Sequence, residues 1–324
     1  MVLGIDISKR SFEVALLVGE RVAQASFAND AAGFSALLAW LSQHHVERVH
    51  ACLEATGRYG LGLATALCDA GHRVSLVNPR VIKAYAQVRL ARTKTDRVDA
   101  RLIADYCRRH QPRCWAPPDP ARDRLRQVSR YLAGLTQQRQ QERNRLQAGA
   151  LDPLVEQALQ DHLTFLDQQI VKLEAKRQQL LQAEPTLQQQ HALLDSLPGI
   201  GPASATTLLA ELPDVRLLAR AADLVAYAGV DPSERQSGAS VHPPTHISKQ
   251  GNARLRTALF FPAMTAMTHC RVLQPFVQRL RQQGLARKAI IVAVMRKLLR
   301  WIYGVLKHQQ PFDPAKVVPS GVAT

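Results

Sequence analysis

Short apolar runs alternate with amphipathic stretches over the first third of the chain. Runs rich in β-branched residues predict strands over residues 2–8, 11–18, 21–28, 47–55 and 72–79. Apolar positions at helical spacing follow the last three of these runs, and Asn29 or Asp30 can cap the first helix. Three consecutive strands followed by strand–helix–strand crossovers predict an α/β domain, with a mixed sheet covered by helices.

Beyond residue 110 the pattern changes to long helices. The Pro-rich segment 111–123 marks a boundary, and the chain after it is rich in Gln, Arg and Leu. Between Leu159 and Leu180, apolar residues recur at heptad spacing, with one interruption at Arg177. This seam predicts a coiled-coil arm of two antiparallel helices, for dimerisation or spacing, and a hairpin packed on its own chain is the alternative. The predicted domains are residues 1–117, 118–190 and 191–324.

The last predicted domain is mostly α-helical. It begins close to "LPGIGP" at 197–202, which has the turn of a helix-hairpin-helix element. In such elements the turn amides and the following helix N-terminus can face a phosphate. The same turn also serves as a tight connection between packed helices, so both interpretations stay open.

The formal net charge of +16 is a property of the C-terminal quarter. From Ser248 to the end there are thirteen Lys and Arg residues and one acidic residue, Asp313, whereas the preceding chain is nearly balanced. This concentration predicts a surface that neutralises nucleic-acid phosphates, although a solvated basic face or an acidic membrane surface would also account for it. The predicted phosphate contacts are Lys94, Arg97, Arg101, Lys249, Arg254, Arg256, Arg287, Lys288, Arg296, Lys297 and Arg300.

Several other classes of protein are disfavoured by composition. The sequence has neither a run of about 18 apolar residues nor a secretory leader pattern, so we expect a cytoplasmic protein without a membrane span. The five cysteines form no CxxC pair, which favours reduced structural thiols over a zinc site.

Four carboxylates stand at positions that the predicted fold can bring together. Asp6 lies in the first strand and Glu54 ends the fourth, while Asp96 and Asp99 share one face of a later helix. This order of strands and helices matches the ribonuclease-H-like fold, in which the first and fourth strands are neighbours. Converging carboxylates repel one another unless a cation lies between them, and Mg²⁺ prefers oxygen ligands. Each acid alone also has a structural interpretation, as a turn residue, a strand end or a complement to the helix dipole.

Seven stretches carry a specific resemblance over residues 2–313. They are "GIDISK", "EATGRYG", "NPRVIKAYAQ", "TKTDRVDAR", "LPGIG", "AYAGVDPSERQSG" and "ISKQGNARLR". In this order they resemble the DEDD transposases of insertion sequences, the IS one-ten family, which includes pilin-gene inverting recombinases. The resemblance implies a RuvC-like domain in which Asp6, Glu54, Asp96 and Asp99 bind Mg²⁺. It also implies a C-terminal transposase domain with a catalytic serine, and strand exchange guided by a bridge RNA that pairs with donor and target DNA.

The serine of this family corresponds to Ser237 in "ERQSGASV", and Ser240 is the competitor. Attack by a serine would link the DNA covalently to the protein and keep the phosphodiester energy for rejoining. Two alternatives stay open: a RuvC-like nuclease that hydrolyses structured DNA with water, and a non-catalytic nucleic-acid-binding protein. The predicted arm favours a homo-oligomer, either a dimer or a tetramer.

Overall fold

A computed structural model describes residues 1–55, 57, 59–89, 95–149, 151–233 and 246–316. The chain divides into two compact units, Met1–Pro117 and Pro118–Thr324. Within the described ranges, no helix is long and apolar enough to cross a membrane.

The N-terminal unit is a five-stranded mixed sheet with four helices. Its strands are β1 (Val2–Ile7), β2 (Ser11–Val18), β3 (Arg21–Ala28), β4 (His50–Glu54) and β5 (Arg73–Val77). Its helices are α1 (Ala31–Gln43), α2 (Leu61–Asp69), α3 (Pro79–Val88) and α4 (Asp96–His110). The strand order is β3-β2-β1-β4-β5; β2 is antiparallel to β1 and β3, and β4 is parallel to β1 and β5. The predicted mixed sheet and the pairing of the first and fourth strands are confirmed.

Alternation of side chains gives this sheet two different buried faces. One face packs through Leu3, Ile5 and Val14 against the apolar sides of α1 and α2. The other face receives α4 at unusually short range. A Cβ added to Gly4 would lie 2.1 Å from the carbonyl oxygen of Ala100. Only glycine permits this approach, so β1 and α4 are in backbone contact.

Local capping fixes where the helices of this unit begin. The Asp30 carboxylate accepts a hydrogen bond from the backbone N–H of Gly33 at 2.8 Å, which selects Asp30 over Asn29 as the cap of α1. Thr95 caps α4 by accepting from the backbone N–H of Val98 at 3.3 Å. Because α4 begins at Asp96, its first turn contains two aspartates.

The C-terminal unit is mostly helical. Its helices are α5 (Pro120–Gln147), α6 (Pro153–Ala183), α7 (Pro185–Asp195), α8 (Pro202–Glu211), α9 (Ala221–Ala228), α10 (Ala253–His269), α11 (Gln274–Gln282) and α12 (Arg287–His308). A two-residue ladder joins β6 (Pro232–Ser233) to β7 (His246–Ile247). The core collects around α12, whose buried stripe includes Ile291, Val294 and Leu298.

Helices α5 and α6 form an antiparallel hairpin. Arg139 pairs with Asp167 at 3.0 Å, and Glu142 lies 3.5 Å from His162, so contact positions rise along α5 as they fall along α6. Leu166 and Ile170 of the heptad seam are buried together with Leu132 and Leu135 of α5. This part of the seam therefore packs within its own chain.

The turn between α7 and α8 packs against α10. Gly199 has a φ of +84°, and a Cβ there would lie 2.4 Å from the carbonyl oxygen of Pro262. Of the two interpretations of "LPGIGP", this contact supports the tight interhelical connection.

Candidate active site

Two of the four predicted acids lie at one edge of the sheet, and the other two lie on a helix that packs over the sheet. Asp6 is the next-to-last residue of β1 and Glu54 is the last residue of β4, a parallel neighbour in which Ile5 pairs with Leu53. The carboxyl ends of these strands therefore meet at the same edge. Asp96 and Asp99 lie in the first turn of α4, which packs on the Gly4 face of β1. Because side chains alternate, Asp6 projects from that same face.

The electrostatics of Asp6 show that the other three acids act on it. Burial is the largest cause that raises the pKa of Asp6, and the negative charges of Asp96, Asp99 and Glu54 add to it. Together they bring the pKa from 3.8 to about 6. The charges of the other three acids therefore all act on Asp6, even though the four acids come from three separate segments of the chain.

The donors at this edge suit a hard divalent cation. All are carboxylate oxygens, the ligand type that Mg²⁺ prefers, and a cation would lower the pKa of Asp6 by offsetting the repulsion. Among the residues that the structure describes, no three His, Cys, Asp or Glu side chains lie close enough to enclose a metal ion. The acids therefore share an electric field at this edge, and joint ligation of one ion requires their side chains to move closer together.

Two side chains that the sequence analysis did not select anchor the start of α4. Glu13, which lies opposite Asp6 in the β1–β2 register, has its Oε2 3.6 Å from the Nε of Arg97. Gln24 of β3 donates a hydrogen bond to the carbonyl oxygen of Arg97 at 2.9 Å. The sequence does contain one signal for Glu13, since it is the single charged residue within the apolar run "SFEVALLV". The structure thus assigns Arg97 an intramolecular role beside the acids.

The predicted serine nucleophile lies outside the described residues. Ser237 and its competitor Ser240 both fall in 234–245. Nearer to Asp6 in sequence, Ser8 is exposed and its hydroxyl donates to the carbonyl oxygen of Ser11 at 2.8 Å, in the turn between β1 and β2. Ser8 therefore provides a matched comparison for the predicted nucleophile.

The predicted phosphate contacts occupy different environments. Lys94 lies outside the described residues, and Arg101 is exposed on α4, where it lines a cavity with Arg89 and Arg108. Arg256 is half-buried and donates to the carbonyl oxygen of Ala228 at 2.8 Å, which is a structural contact. Exposed positions are held by Lys249, Arg254, Arg287, Lys288 and Arg300, whereas Arg296 and Lys297 are half-buried.

Fold and site together define a class of protein. It has an α/β unit that gathers carboxylates at one sheet edge, and a helical unit that carries a strongly basic C-terminal region.

Comparison with known proteins assigns the family within this class. A model of DEDD transposases, described as "Transposase", matches residues 3–154, and one described as "Transposase IS116/IS110/IS902 family" matches residues 191–278. The pilin gene-inverting protein of Moraxella bovis is 35% identical over 314 residues, which cover 96% of this chain and 97% of that protein. The protein of that name from Moraxella lacunata has the same identity and coverage. An uncharacterized IS110 protein of Streptomyces coelicolor is 29% identical over 174 residues, 54% of this chain and 41% of its own length.

The chain therefore belongs to the IS116/IS110/IS902 family of transposases, enzymes that act on DNA.

Proposed function

We propose that this protein is a Mg²⁺-dependent recombinase that cuts and rejoins DNA through a serine-linked intermediate. In this proposal the N-terminal unit is a RuvC-like, ribonuclease-H-like phosphoryl-transfer domain. The strand order β3-β2-β1-β4-β5, with β4 and β5 parallel to β1, supports that fold assignment. The observation that carries the function is the convergence of three carboxylate charges on half-buried Asp6.

The four acids would hold the cation in this mechanism. Asp6 and Glu54 would hold it from the sheet edge, and Asp96 and Asp99 would hold it from the start of α4. The cation neutralises phosphate charge and stabilises the leaving oxygen when it is bound. Arg97, anchored by Glu13, keeps the first turn of α4 over Asp6. Preorganised charge of this kind is commonly the largest contribution to such a reaction.

The proposed nucleophile is Ser237. Its oxygen forms a bond to the scissile phosphorus while the bond from phosphorus to the 3′ oxygen breaks, and the released 3′ end leaves as a hydroxyl. The phosphodiester is thereby exchanged rather than hydrolysed, so the reverse attack by another 3′ hydroxyl rejoins the strand. Glycine after the serine lets the backbone approach DNA closely.

The choice of DNA site is proposed to come from a bridge RNA. Aromatic residues make up only 5% of the chain, and its basic residues suit recognition of the backbone more than of base edges. Sequence would then be read by pairing of the RNA with donor and target DNA, as in other RNA-guided systems. A homo-oligomer, a dimer or a tetramer, would hold the several strands that exchange requires.

Capture of the covalent adduct tests the reaction. Full-length protein is incubated with Mg²⁺, labelled donor and target DNA and the RNA that copurifies with it, and is then resolved under denaturing conditions. We expect a labelled adduct that disappears in Ser237→Ala and in Asp96→Asn but persists in Ser8→Ala and Ser240→Ala. An adduct that survives Ser237→Ala contradicts the nucleophile assignment.

The same assay distinguishes the other functions. Cleaved DNA without any adduct in the unmodified protein would indicate a nuclease that uses water. Identical DNA products from the unmodified protein and from Asp96→Asn would indicate a non-catalytic binding protein.

A further inference from the structure

One side of α12 lines two cavities that share a residue. Arg300 borders a cavity of about 140 Å³ toward the start of the helix and a second one of about 460 Å³ toward its end. The α12 positions Ala293, Lys297, Arg300, Gly304 and His308 recur every three or four residues, so they form one stripe along the helix. The two cavities therefore adjoin at Arg300, and together we call them the α12 groove.

The smaller cavity is lined by cations and one aromatic ring. Arg296, Lys297 and Arg300 surround Phe276, and the Nζ of Lys297 lies 5.1 Å from the ring centroid. The Nε of Arg296 is buried, and among the described residues it has no hydrogen-bond partner. A buried donor without an acceptor is costly, and none of the described residues that line this cavity carries a carboxylate. The arrangement suits an anion with several acceptor oxygens, such as a phosphate.

The larger cavity has a different chemistry. Trp301 and Phe312 form its aromatic part, with ring centroids 4.7 Å apart, and Val305 and Pro311 extend the apolar surface. Two basic side chains, Arg300 and Lys316, also border this cavity, together with one carboxylate, Asp313. An apolar, aromatic surface beside cations is the combination on which single-stranded nucleic acids stack their bases.

Gly304 supplies an observation independent of charge. It lies inside a 22-residue helix, where glycine costs about 1 kcal/mol relative to alanine. Packing does not require it, since a Cβ built there would meet no described atom within 4 Å. Gly304 borders the larger cavity, so a side chain substituted there would project into open space beside it and reduce the room that the cavity offers.

We propose that the α12 groove binds a single-stranded polynucleotide, with a backbone phosphate at Arg296, Lys297 and Arg300 and an unpaired base against Trp301. This inference rests on the proposed function in taking nucleic acid as the substrate, and it specifies where an unpaired strand is held. The phosphates of a duplex could also contact the cations. A duplex would leave the aromatic cavity empty, however, because its paired bases stack on one another and expose no free face.

Anisotropy of a labelled oligonucleotide tests the groove in the full-length protein. Single-stranded DNA and RNA of one sequence are compared with a strand of the same length whose bases are removed. Trp301→Leu is expected to weaken binding of the intact strands about tenfold and to leave the abasic strand nearly unchanged. Gly304→Leu is expected to weaken the intact strands as well, although leucine favours the helix.

Salt dependence tests the phosphate cavity. In Arg296→Gln the slope of log K against log salt is expected to fall by about 0.7, the value for one phosphate of a single strand. Arg281→Gln is the matched control, because Arg281 is exposed at the end of α11 and lines neither cavity. Its slope is expected to change by less than that of Arg296→Gln.

Three outcomes would overturn the proposal. They are an equal loss in Trp301→Leu for intact and abasic strands, unchanged binding in Gly304→Leu, and displacement of the strand by inorganic phosphate at constant ionic strength. The last outcome would assign the smaller cavity to a free anion. Adduct formation by Ser237 is a separate readout, so failure of the groove is distinguishable from failure of the proposed function.

Discussion

The contact between β1 and α4 can be tested by the smallest possible change, Gly4→Ala. The new Cβ would lie 2.1 Å from the carbonyl oxygen of Ala100 and 2.3 Å from the backbone nitrogen of Ala104. Cβ atoms essentially never approach such atoms within 3.0 Å, so α4 must move away from the sheet by roughly 1 Å. Neither contacting atom can rotate away, since both belong to the helix backbone.

This displacement is expected to affect catalysis more than stability. Overpacking of a core commonly costs about 1–3 kcal/mol, which leaves most domains folded. Asp96 and Asp99 move with α4, however, and a misplacement of about 1 Å at a catalytic centre can reduce the rate about 100-fold. Gly4→Ala should therefore yield folded protein with a small loss of thermal stability and a large loss of activity.

The assay combines thermal unfolding with single-turnover formation of the protein–DNA adduct. Gly62→Ala is the control, because its Cβ would meet only Phe34 at 3.4 Å, an ordinary contact, and it lies in α2, which covers the face of the sheet opposite to α4. Gly62→Ala should keep full activity. A Gly4→Ala protein as active as Gly62→Ala would refute the argument that backbone contact places the acids.

Three further perturbations probe the ion pairs and the acidic edge. Glu211→Gln should destabilise the protein by about 3 kcal/mol in denaturant titrations, since buried Glu211 pairs with Arg130 at 2.7 Å. Burial raises the pKa of Glu211, but hydrogen bonds from Arg130 and Asn252 outweigh it and leave the pKa below 4.5. The stability that ionised Glu211 contributes should therefore be lost as the pH falls below 4.5. Glu13→Gln should slow adduct formation at unchanged DNA affinity, and Glu13→Asp should restore part of the rate if the charge holds Arg97. Asp6→Asn should raise the melting temperature of metal-free protein above pH 6, with the difference closing as the pH falls toward 3.8, because the raised pKa marks ionised Asp6 as destabilising. Added Mg²⁺ should then stabilise the unmodified protein more than Asp6→Asn; equal stabilisation would argue against ligation by Asp6.

Much of the N-terminal fold could be predicted because its signals are local. Alternating apolar residues set the strands, and Asp30 and Thr95 set the helix starts. Several strand boundaries differed by one or two residues, and the largest difference is at β4, which begins at His50, whereas the apolar pattern predicted a start at residue 47. Residues 47–49 precede the strand, and buried Val49 contacts the sheet through its carbonyl oxygen, which accepts a hydrogen bond from the backbone N–H of Arg73 at 3.0 Å.

The site residues that the sequence analysis did not select are placed by contacts between distant segments of the chain. Glu13 becomes a neighbour of Asp6 only through the β1–β2 register, and Gln24 reaches Arg97 across 73 positions. No periodicity within either strand encodes those contacts. The α12 groove is similar, because Phe276 is supplied by α11 and Phe312 by the chain after α12.

The residues of α4 that pack against the sheet and the acids of the candidate site lie at different positions along the helix. Its buried positions, Ala100, Ile103 and Ala104, are fully enclosed against the sheet, while its first turn carries the exposed or half-buried acids. Repulsion at the acidic edge therefore acts on the helix end and leaves the apolar contact intact. The close backbone contact at Gly4 holds this 15-residue helix against the sheet despite that repulsion. Substitutions in the first turn should consequently act through local charge, which changes the pKa of Asp6 as well as activity, whereas a change at Gly4 or Ala100 alters the position of every acid on the helix.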